Sequence, residues 1–277
     1  MAKNTKKNTP LGSLAEEIAA LASGSAAPLT GAVYEAGAVT RAAAAGGVAD
    51  GGTALVDRRF EIGSVTKVLT GALLGIMAEA GEVDPASPVD EVLGEKLPWR
   101  DRAPSLVELA SHQAGLPNTP GRLRWREAAV AFGWSTKDPW RDVGPREYRI
   151  LLEDAVKRAR VGEKARYSSM GIGLLGDALS RAAGTDFETL LTQRLLMPLG
   201  MTRTSSARPI GGAGEVVRGI NRKGRSVPYL VDQMPAAGMI ASTVDDLILF
   251  GRAVLGDGPA EVVAGLQRAI SPVASLS

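Results

Sequence analysis

Apolar residues recur at helical spacing in two stretches near the start of the chain. Leu14, Ile18 and Leu21 form one stripe, which predicts a helix over residues 11–22. A longer apolar pattern begins after Ser64 and consists of Val68, Leu69, Ala72, Leu73, Ile76 and Met77. This second pattern predicts a helix with one face in the core, and Gly81 is placed to end it.

Strand patterns are short and lie on either side of a long helical region. Strands are predicted at 29–34, 39–48, 216–221 and 236–241, and helices at 106–111, 146–160, 170–183, 187–196 and 247–255. One more short helical stretch follows. The order predicts an α/β (α+β) chain: a flexible tail (1–10), a sheet domain (11–63 and 205–277), and an inserted part with the Ser64 helix and an all-helical domain (64–204).

Composition removes several classes of chemistry. The 277 residues are 45% hydrophobic and carry a net charge of +2, which gives no global reason to expect a nucleic-acid or membrane partner. There is no cysteine, and His112 is the only histidine. Thiol catalysis and Cys/His zinc sites are therefore excluded, and no cofactor or metal is expected. The polar, lysine-rich N-terminus lacks the apolar run of a signal peptide, so a cytoplasmic location is expected.

Ser64 and Lys67 form the candidate nucleophile and base. Residues three apart at the start of a helix share one face, so the amine can reach the hydroxyl. Apolar packing and the positive end of the helix dipole both favour a neutral amine, which can accept the serine proton. Alternatively, Ser64 is a helix N-cap and Lys67 a surface lysine.

A second element lies far downstream, at Tyr167-Ser168-Ser169, just before the helix predicted at 170–183. A phenol at such a loop-to-helix junction can relay a proton between the serine oxygen and a leaving group, and a neighbouring hydroxyl can bind substrate. The alternative is a core aromatic residue at the start of a helix.

Several segments, in order along the chain, resemble the serine β-lactamase and D,D-peptidase superfamily, in particular its class C β-lactamase-like and esterase (family VIII carboxylesterase-like) branch. They are Phe60-Glu61-Ile62-Gly63-Ser64-Val65-Thr66-Lys67, Ser111-His112-Gln113-Ala114-Gly115-Leu116-Pro117, Tyr167-Ser168-Ser169, Pro198-Leu199-Gly200-Met201 and Ala237-Gly238-Met239-Ile240-Ala241-Ser242-Thr243. The resemblance implies an antiparallel sheet flanked by helices and an acyl-enzyme mechanism. In that mechanism Ser64 attacks an ester or amide, Lys67 and Tyr167 share the proton transfer, and Ser169 and Gly238 contact the substrate.

The chain departs from this family at two points. Ser169 stands where the family has asparagine, and a hydroxyl keeps only part of an amide's hydrogen-bonding capacity. The family's third motif, Lys-Thr-Gly or His-x-Gly on a strand beside the nucleophile, has no match after Gly256. The C-terminal strands of the fold are therefore expected to be missing, together with one donor of the oxyanion hole. Removing one such donor costs about 10²- to 10³-fold in rate.

Other motifs leave alternatives open. Gly171 to Gly176 match the spacing of a dinucleotide fingerprint, but no strand precedes them, so close helix packing is the preferred interpretation. His112 is interpreted as a turn residue with a structural role. Asp245 and Asp246 are read as carboxylates in the first turn of a helix and not as a metal pair. Residues 121–142 hold three tryptophans among arginines and predict a lid in which Trp134 contacts substrate, the alternative being single-stranded nucleic acid.

Two classes of function follow from the sequence. The first is a serine hydrolase acting on a small ester or amide, or an acyltransferase that uses the same acyl-enzyme. The second is a catalytically impaired relative that binds a ligand or a partner. A strand left unpaired in an incomplete sheet also predicts self-association through its edge.

Overall fold

The computed structural model describes residues 14–23, 28–44, 55–121, 123–206, 216–228 and 233–271. Its helices are α1 (Leu14–Ser23), α2 (Thr66–Glu79), α3 (Val89–Leu93), α4 (Leu106–Ala110), α5 (Arg124–Ala131), α6 (Pro145–Val156), α7 (Ser169–Ala183), α8 (Phe187–Leu191), α9 (Met197–Leu199), α10 (Pro235–Gly238), α11 (Val244–Val254) and α12 (Ala260–Ile270). A π-helical segment, Thr192–Leu196, joins α8 to α9. The tail predicted at 1–10 lies outside the described residues.

The strands form two sheets. They are β1 (Leu29–Glu35), β2 (Ala38–Ala44), β3 (Arg59–Glu61), β4 (Ser205–Ser206), β5 (Val216–Val217) and β6 (Ile240–Ser242). The pair β1–β2 is antiparallel, and the second sheet has the order β4-β6-β3-β5. Its β3–β5 pair is parallel, so the expected antiparallel sheet is in fact mixed. Among the described residues no strand follows β6.

Helix α2 lies at the centre of the core because nearly its whole surface is apolar or small. Its buried residues include Leu69, Leu73 and Met77, and α7, α10 and α12 all pack against it. The approach to α12 is close: a Cβ atom on Gly75 would lie 2.2 Å from the Gly265 carbonyl oxygen. The glycines of both helices therefore allow backbone-to-backbone contact that no larger residue permits.

Helix α7 is bounded by local signals and packs closely on α10. The Ser168 side chain caps its start by accepting a hydrogen bond from the Gly171 N–H, and Gly184 ends it in the left-handed region at φ 67°. A Cβ on Gly176 would lie 2.3 Å from the Ala236 Cβ. This contact supports the packing interpretation of the glycine-rich segment.

The strand predicted at 236–241 is wrong in its first half. Residues Pro235–Gly238 form the helical turn α10, and the strand runs only over Ile240–Ser242. Proline is favoured at the first position of a helix, which explains the turn. The helix predicted at 146–160 ends earlier, at Val156. The strand predicted at 39–48 ends at Ala44 among the described residues, and 45–48 lie outside them.

The two aspartates at the start of α11 have different partners. Asp245 forms an ion pair with Arg41 of β2 at 2.6 Å. Asp246 is buried and accepts hydrogen bonds from the Arg203 N–H at 2.9 Å and the Thr204 hydroxyl at 2.7 Å. Both lie in the first turn of the helix, as predicted. Within the described residues, no helix is long and apolar enough to cross a membrane.

Candidate active site

The three residues predicted to be catalytic lie together. Ser64 is exposed in a 3-10 turn, Gly63–Val65, directly before α2. The Lys67 amine is 3.2 Å from the Ser64 hydroxyl oxygen, and the Tyr167 phenol donates to that oxygen at 2.7 Å. The helix brings Lys67 under Ser64, and the loop before α7 brings Tyr167 to it from 103 residues away. One oxygen therefore contacts two groups that can move a proton.

Lys67 is held by the backbone of α10. Its side chain is buried, with 9% of the residue exposed, and its amine donates to the Ala237 carbonyl oxygen at 2.5 Å. One turn further along α2, the Thr70 hydroxyl donates to the Ala236 carbonyl oxygen at 2.7 Å. Two hydrogen bonds thus fix α2 to α10, and they orient the amine towards Ser64.

Tyr167 is half exposed and has a charged neighbour. The Lys67 amine lies 5.0 Å from the centroid of its ring. Burial opposes ionisation of the phenol, but the hydrogen bonds with Ser64 and Lys67 and the charge of Lys67 outweigh it, so the pKa of Tyr167 lies below its usual range. The phenolate, which can accept the proton of Ser64, therefore forms at a lower pH than in free tyrosine.

His112 contacts Tyr167, which the sequence did not predict. The two rings are tilted at 46° with centroids 4.7 Å apart. The Ser168 N–H donates to His112 Nδ1 at 3.3 Å, and burial together with the Lys67 charge lowers the pKa of the imidazole. A neutral His112 therefore supports both the ring of Tyr167 and the start of α7. These contacts are compatible with the structural role predicted for His112, and they place the residue beside the reacting groups.

Asn118 is a hydrogen-bond partner of Ser169. The side-chain amide oxygen of Asn118 (Oδ1) accepts hydrogen bonds from the Ser169 hydroxyl at 2.7 Å and from the Ser169 N–H at 3.1 Å. Ser168 faces the other way and donates to the Pro117 carbonyl oxygen at 2.9 Å. An amide is thus present beside Ser169, supplied by the loop that precedes α5 and not by the residue at position 169 itself.

A cavity of about 150 Å³ opens at Ser64. Its lining is Gly63, Ser64, Lys67, Asn118, Thr119, Glu127, Trp140, Ser169, Met234, Ala237 and Gly238. Ser169 and Gly238, both predicted to bind substrate, are part of it. Tyr167 is not part of this lining but reaches Ser64 from the solvent side.

Trp134 does not line this cavity. Its side chain is 69% exposed and stacks on Phe132, with ring centroids 5.3 Å apart. Trp140 of the same segment lines the cavity instead and is 5% exposed. Trp134, the ring predicted to contact substrate, therefore does not line the cavity, whereas Trp140 of the same predicted segment does, because tertiary packing and not the local sequence decides which ring turns inwards.

Local sequence patterns do not mark Thr119 or Glu127 as site residues, and they mark Trp140 only as part of the predicted lid at 121–142. Thr119 follows Gly115-Leu116-Pro117-Asn118, so the loop motif marks its neighbourhood. Glu127 lies on α5, a helix without fully buried residues, and nothing in its local sequence indicates that it faces the nucleophile. Such residues become visible only when the fold places their helix over the cavity.

Known proteins similar to this chain share its fold and its family. The Beta-lactamase family model matches residues 19–274. The D-alanyl-D-alanine-carboxypeptidase/endopeptidase AmpH of Escherichia coli is 30% identical over 155 residues, 54% of this chain and 37% of that protein. The Beta-lactamase-like protein 2 of Dictyostelium discoideum is 27% identical over 54% of this chain and 26% of its own length. The chain thus spans well under half of these relatives.

Solved structures agree at the level of the fold. A Beta-Lactamase/D-Alanine Carboxypeptidase from Pseudomonas syringae superimposes with a TM-score of 0.72 and 21% identity, over 93% of this chain and 69% of that one. The octameric penicillin-binding protein homologue from Pyrococcus abyssi superimposes with a TM-score of 0.71 and 21% sequence identity. The match covers 94% of this chain and 58% of that one. The family match covers most of the chain and confirms the resemblance drawn from its motifs: the chain belongs to the Beta-lactamase family of serine hydrolases.

Proposed function

We propose that this chain hydrolyses a small ester or amide through an acyl-Ser64 intermediate. The single observation that supports it is the Ser64 hydroxyl oxygen, which lies 2.7 Å from the Tyr167 phenol and 3.2 Å from the Lys67 amine. These distances are within reach of direct proton transfer. A helix N-cap and a surface lysine would require neither the burial of Lys67 nor the approach of Tyr167.

The geometry supports the following steps. The deprotonated Tyr167–Lys67 pair takes the proton of Ser64, and the serine oxygen attacks the carbonyl carbon in the cavity. The tetrahedral intermediate collapses when the leaving alkoxide or amine takes a proton from Tyr167, and acyl-Ser64 remains. Water then attacks the acyl carbon and gives a proton to the same pair. The second tetrahedral intermediate collapses as the pair returns that proton to the Ser64 oxygen, which releases the acid and restores both Ser64 and the pair.

The bond that is cleaved is part of the proposal. The names of the relatives from Escherichia coli and Pseudomonas syringae refer to carboxypeptidase activity, which favours an amide. The esterase branch favours an ester, and an alcohol or amine in place of water would make the chain an acyltransferase. A parallel assay of a nitrophenyl ester, a β-lactam and a D-alanyl-D-alanine peptide separates these activities.

The test of the mechanism is labelling of Ser64. A fluorophosphonate or a penicillin-type probe, followed by peptide mass mapping, is expected to modify Ser64, and Ser64→Ala is expected to lose both labelling and turnover. Modification of another serine with Ser64 untouched would contradict the proposal.

A ligand-binding protein without turnover is the second candidate. It is favoured by Ser169, a hydroxyl where the family carries the amide of asparagine, since a hydroxyl keeps only part of that hydrogen-bonding capacity. Stable labelling of Ser64 with no release of product would support this candidate over the hydrolase. Release of acid at a rate above the Ser64→Ala blank would exclude it.

A further inference from the structure

The cavity at Ser64 contains a carboxylate that the acyl transfer does not use. Glu127 of α5 lines the cavity together with Ser64 and Lys67. It also lines two further cavities, of about 390 Å³ and about 480 Å³. Glu127 is therefore part of the wall of all three cavities, including the one in which a substrate bound at Ser64 would lie.

The hydrogen bonds of Glu127 come from neutral donors. The Trp140 indole N–H donates to one carboxylate oxygen at 3.2 Å, and the Thr119 hydroxyl donates to the other at 2.8 Å. Within the part of the chain that the structure describes, no lysine or arginine forms an ion pair with Glu127. Its neighbour Arg126 lies towards Asp142 instead, at 3.5 Å. The two hydrogen bonds thus fix the direction of the carboxylate without an ion pair from the described residues.

The surroundings of the larger cavity extend this negative character. The 480 Å³ space is lined by Glu61, Glu127 and Asp138, with Arg222 as its only lining cation among the described residues. On the opposite side, the 390 Å³ space has Arg124 and Arg166 in its lining. The two directions away from Ser64 therefore differ in charge, and the acidic one passes Trp140, which lines both the Ser64 cavity and the larger space.

We propose that the site takes substrates whose acyl group carries a primary ammonium, bound by Glu127 beside Trp140. This inference rests on the proposed function and names its substrate class. A half-buried carboxylate held by neutral donors gains a charge-assisted hydrogen bond when an ammonium enters, and an indole beside it adds a favourable environment for a cation. Glu127 is then the residue that determines specificity for amine-bearing acyl groups.

The size of the cavity sets the position of the amine. About 150 Å³ is small for a ligand site, where volumes of roughly 300–1,000 Å³ are usual, so only a short acyl chain fits between Ser64 and Glu127. A longer chain must continue past Trp140 into the acidic 480 Å³ space. Both lengths place the ammonium at or beyond Glu127.

The experiment compares isosteric pairs of 4-nitrophenyl esters, each with and without the amine. The pairs are glycyl and propanoyl, β-alanyl and butanoyl, and 6-aminohexanoyl and heptanoyl. The quantity measured is the ratio of kcat/KM for the amine ester to that for its neutral partner, with the Ser64→Ala rate subtracted. Because the ratio is compared between protein variants, the intrinsic reactivity of each ester cancels.

Glu127→Gln is expected to lower this ratio about 10- to 100-fold for at least one pair, since a hydrogen bond to a charged group is lost. Glu163→Gln, which removes an exposed carboxylate paired with Arg160, is the matched control and is expected to keep the wild-type ratio. An equal loss for both members of every pair would overturn the proposal, because it would assign Glu127 a structural or general-base role.

A second readout separates this inference from the proposed function. If no ester acylates Ser64, the hydrolase proposal fails, and binding is then followed by NMR titration with β-alaninamide and butanamide. Tighter binding of the amine to the wild type, lost in Glu127→Gln, supports recognition by the carboxylate. Equal affinity of the two amides for the wild type would overturn it.

Discussion

Tyr167 and Lys67 both reach Ser64, but they do so from different surroundings. Lys67 is buried and held by the Ala237 carbonyl, whereas Tyr167 is 49% exposed beside His112. The phenol therefore exchanges protons with solvent more readily than the amine does.

The pH dependence of acylation follows from Tyr167. Since its pKa lies below the ordinary value, the phenolate forms at a lower pH than in free tyrosine. We expect kcat/KM to rise with pH through an inflection below about 10, the usual value for tyrosine. Tyr167→Phe is expected to remove the inflection and to lower kcat/KM about 10²- to 10⁴-fold. A profile that keeps its inflection in Tyr167→Phe would assign it to another group.

Replacement of Lys67 separates charge from proton transfer. Lys67→Arg keeps the charge and most of the reach of the side chain, but a guanidinium does not act as a base near neutral pH. We expect acylation, measured by stopped-flow release of nitrophenol, to fall about 10²- to 10⁴-fold. The melting temperature serves as the control for folding. Near-normal acylation by a folded Lys67→Arg protein would contradict the role of the amine in moving the proton.

At the scale of elements, the contact between α2 and α12 is set by glycine. A Cβ on Gly75 would meet the Gly265 carbonyl oxygen at 2.2 Å, and a Cβ on Gly265 would meet the Ile76 Cα at 2.5 Å. Neither neighbour is a flexible side chain that can turn away. The position of the helix that carries Lys67 therefore depends on two residues with no part in the chemistry.

Gly75→Ala is expected to destabilise the protein, because the two helices must separate to admit the methyl group. The expected loss in the free energy of unfolding is about 1–3 kcal/mol, measured by urea denaturation. Gly71→Ala, on the same helix with nothing within 4 Å of its added Cβ, is the control. There the better helix propensity of alanine is expected to be neutral or to stabilise by up to about 1 kcal/mol. Equal effects of the two substitutions would refute the packing argument.

Elements with local signals could be predicted from the sequence, and those made by pairing could not. Helix α7 was predicted to within one residue, because Ser168 and Gly184 mark its two ends. The strands β3 and β4 have only two or three residues and match no predicted strand, and β5 covers only Val216–Val217 of the strand predicted at 216–221, because their extended form depends on partners far along the chain. Such segments are too short for a period to be recognised.

The same division holds for the site. Ser64, Lys67 and Tyr167 follow from motif spacing, since the chemistry requires those residue types in that order. Glu127 lines the cavity from α5, and a helix without fully buried residues shows no clear inward face in its sequence. Trp140 lies in the segment after α5, and only tertiary packing distinguishes its buried ring from the exposed ring of Trp134.

At the scale of the whole molecule, β1 and β2 form a sheet of their own within the described residues. Helices α1 and α11 contact this pair, and β2 carries exposed residues along most of its length. A two-stranded sheet leaves backbone groups at each edge without strand partners. A second copy of the chain offers the same edges and the same register.

Self-association is therefore expected, and a charge at the edge should weaken it. Val39 of β2 is 43% exposed, and Val39→Lys is expected to raise the dissociation constant about tenfold, which corresponds to about 1.4 kcal/mol. Ile150→Lys, at a residue of α6 that is 48% exposed, is the matched control. Sedimentation velocity over a range of concentrations measures the dissociation constant of each variant. A wild-type protein that stays monomeric throughout would contradict the expectation.

The anchoring of Lys67 and Thr70 to two backbone carbonyl groups affects how the protein can change in evolution. The acceptors at residues 236 and 237 are main-chain atoms, so replacing either side chain leaves the hydrogen bonds available. What limits position 236 is volume, because Gly176 of α7 lies against it. Mutational drift in this turn is thus restricted by size and not by polarity. A library of small residues at 236 should retain the orientation of the amine, whereas branched residues should lose it.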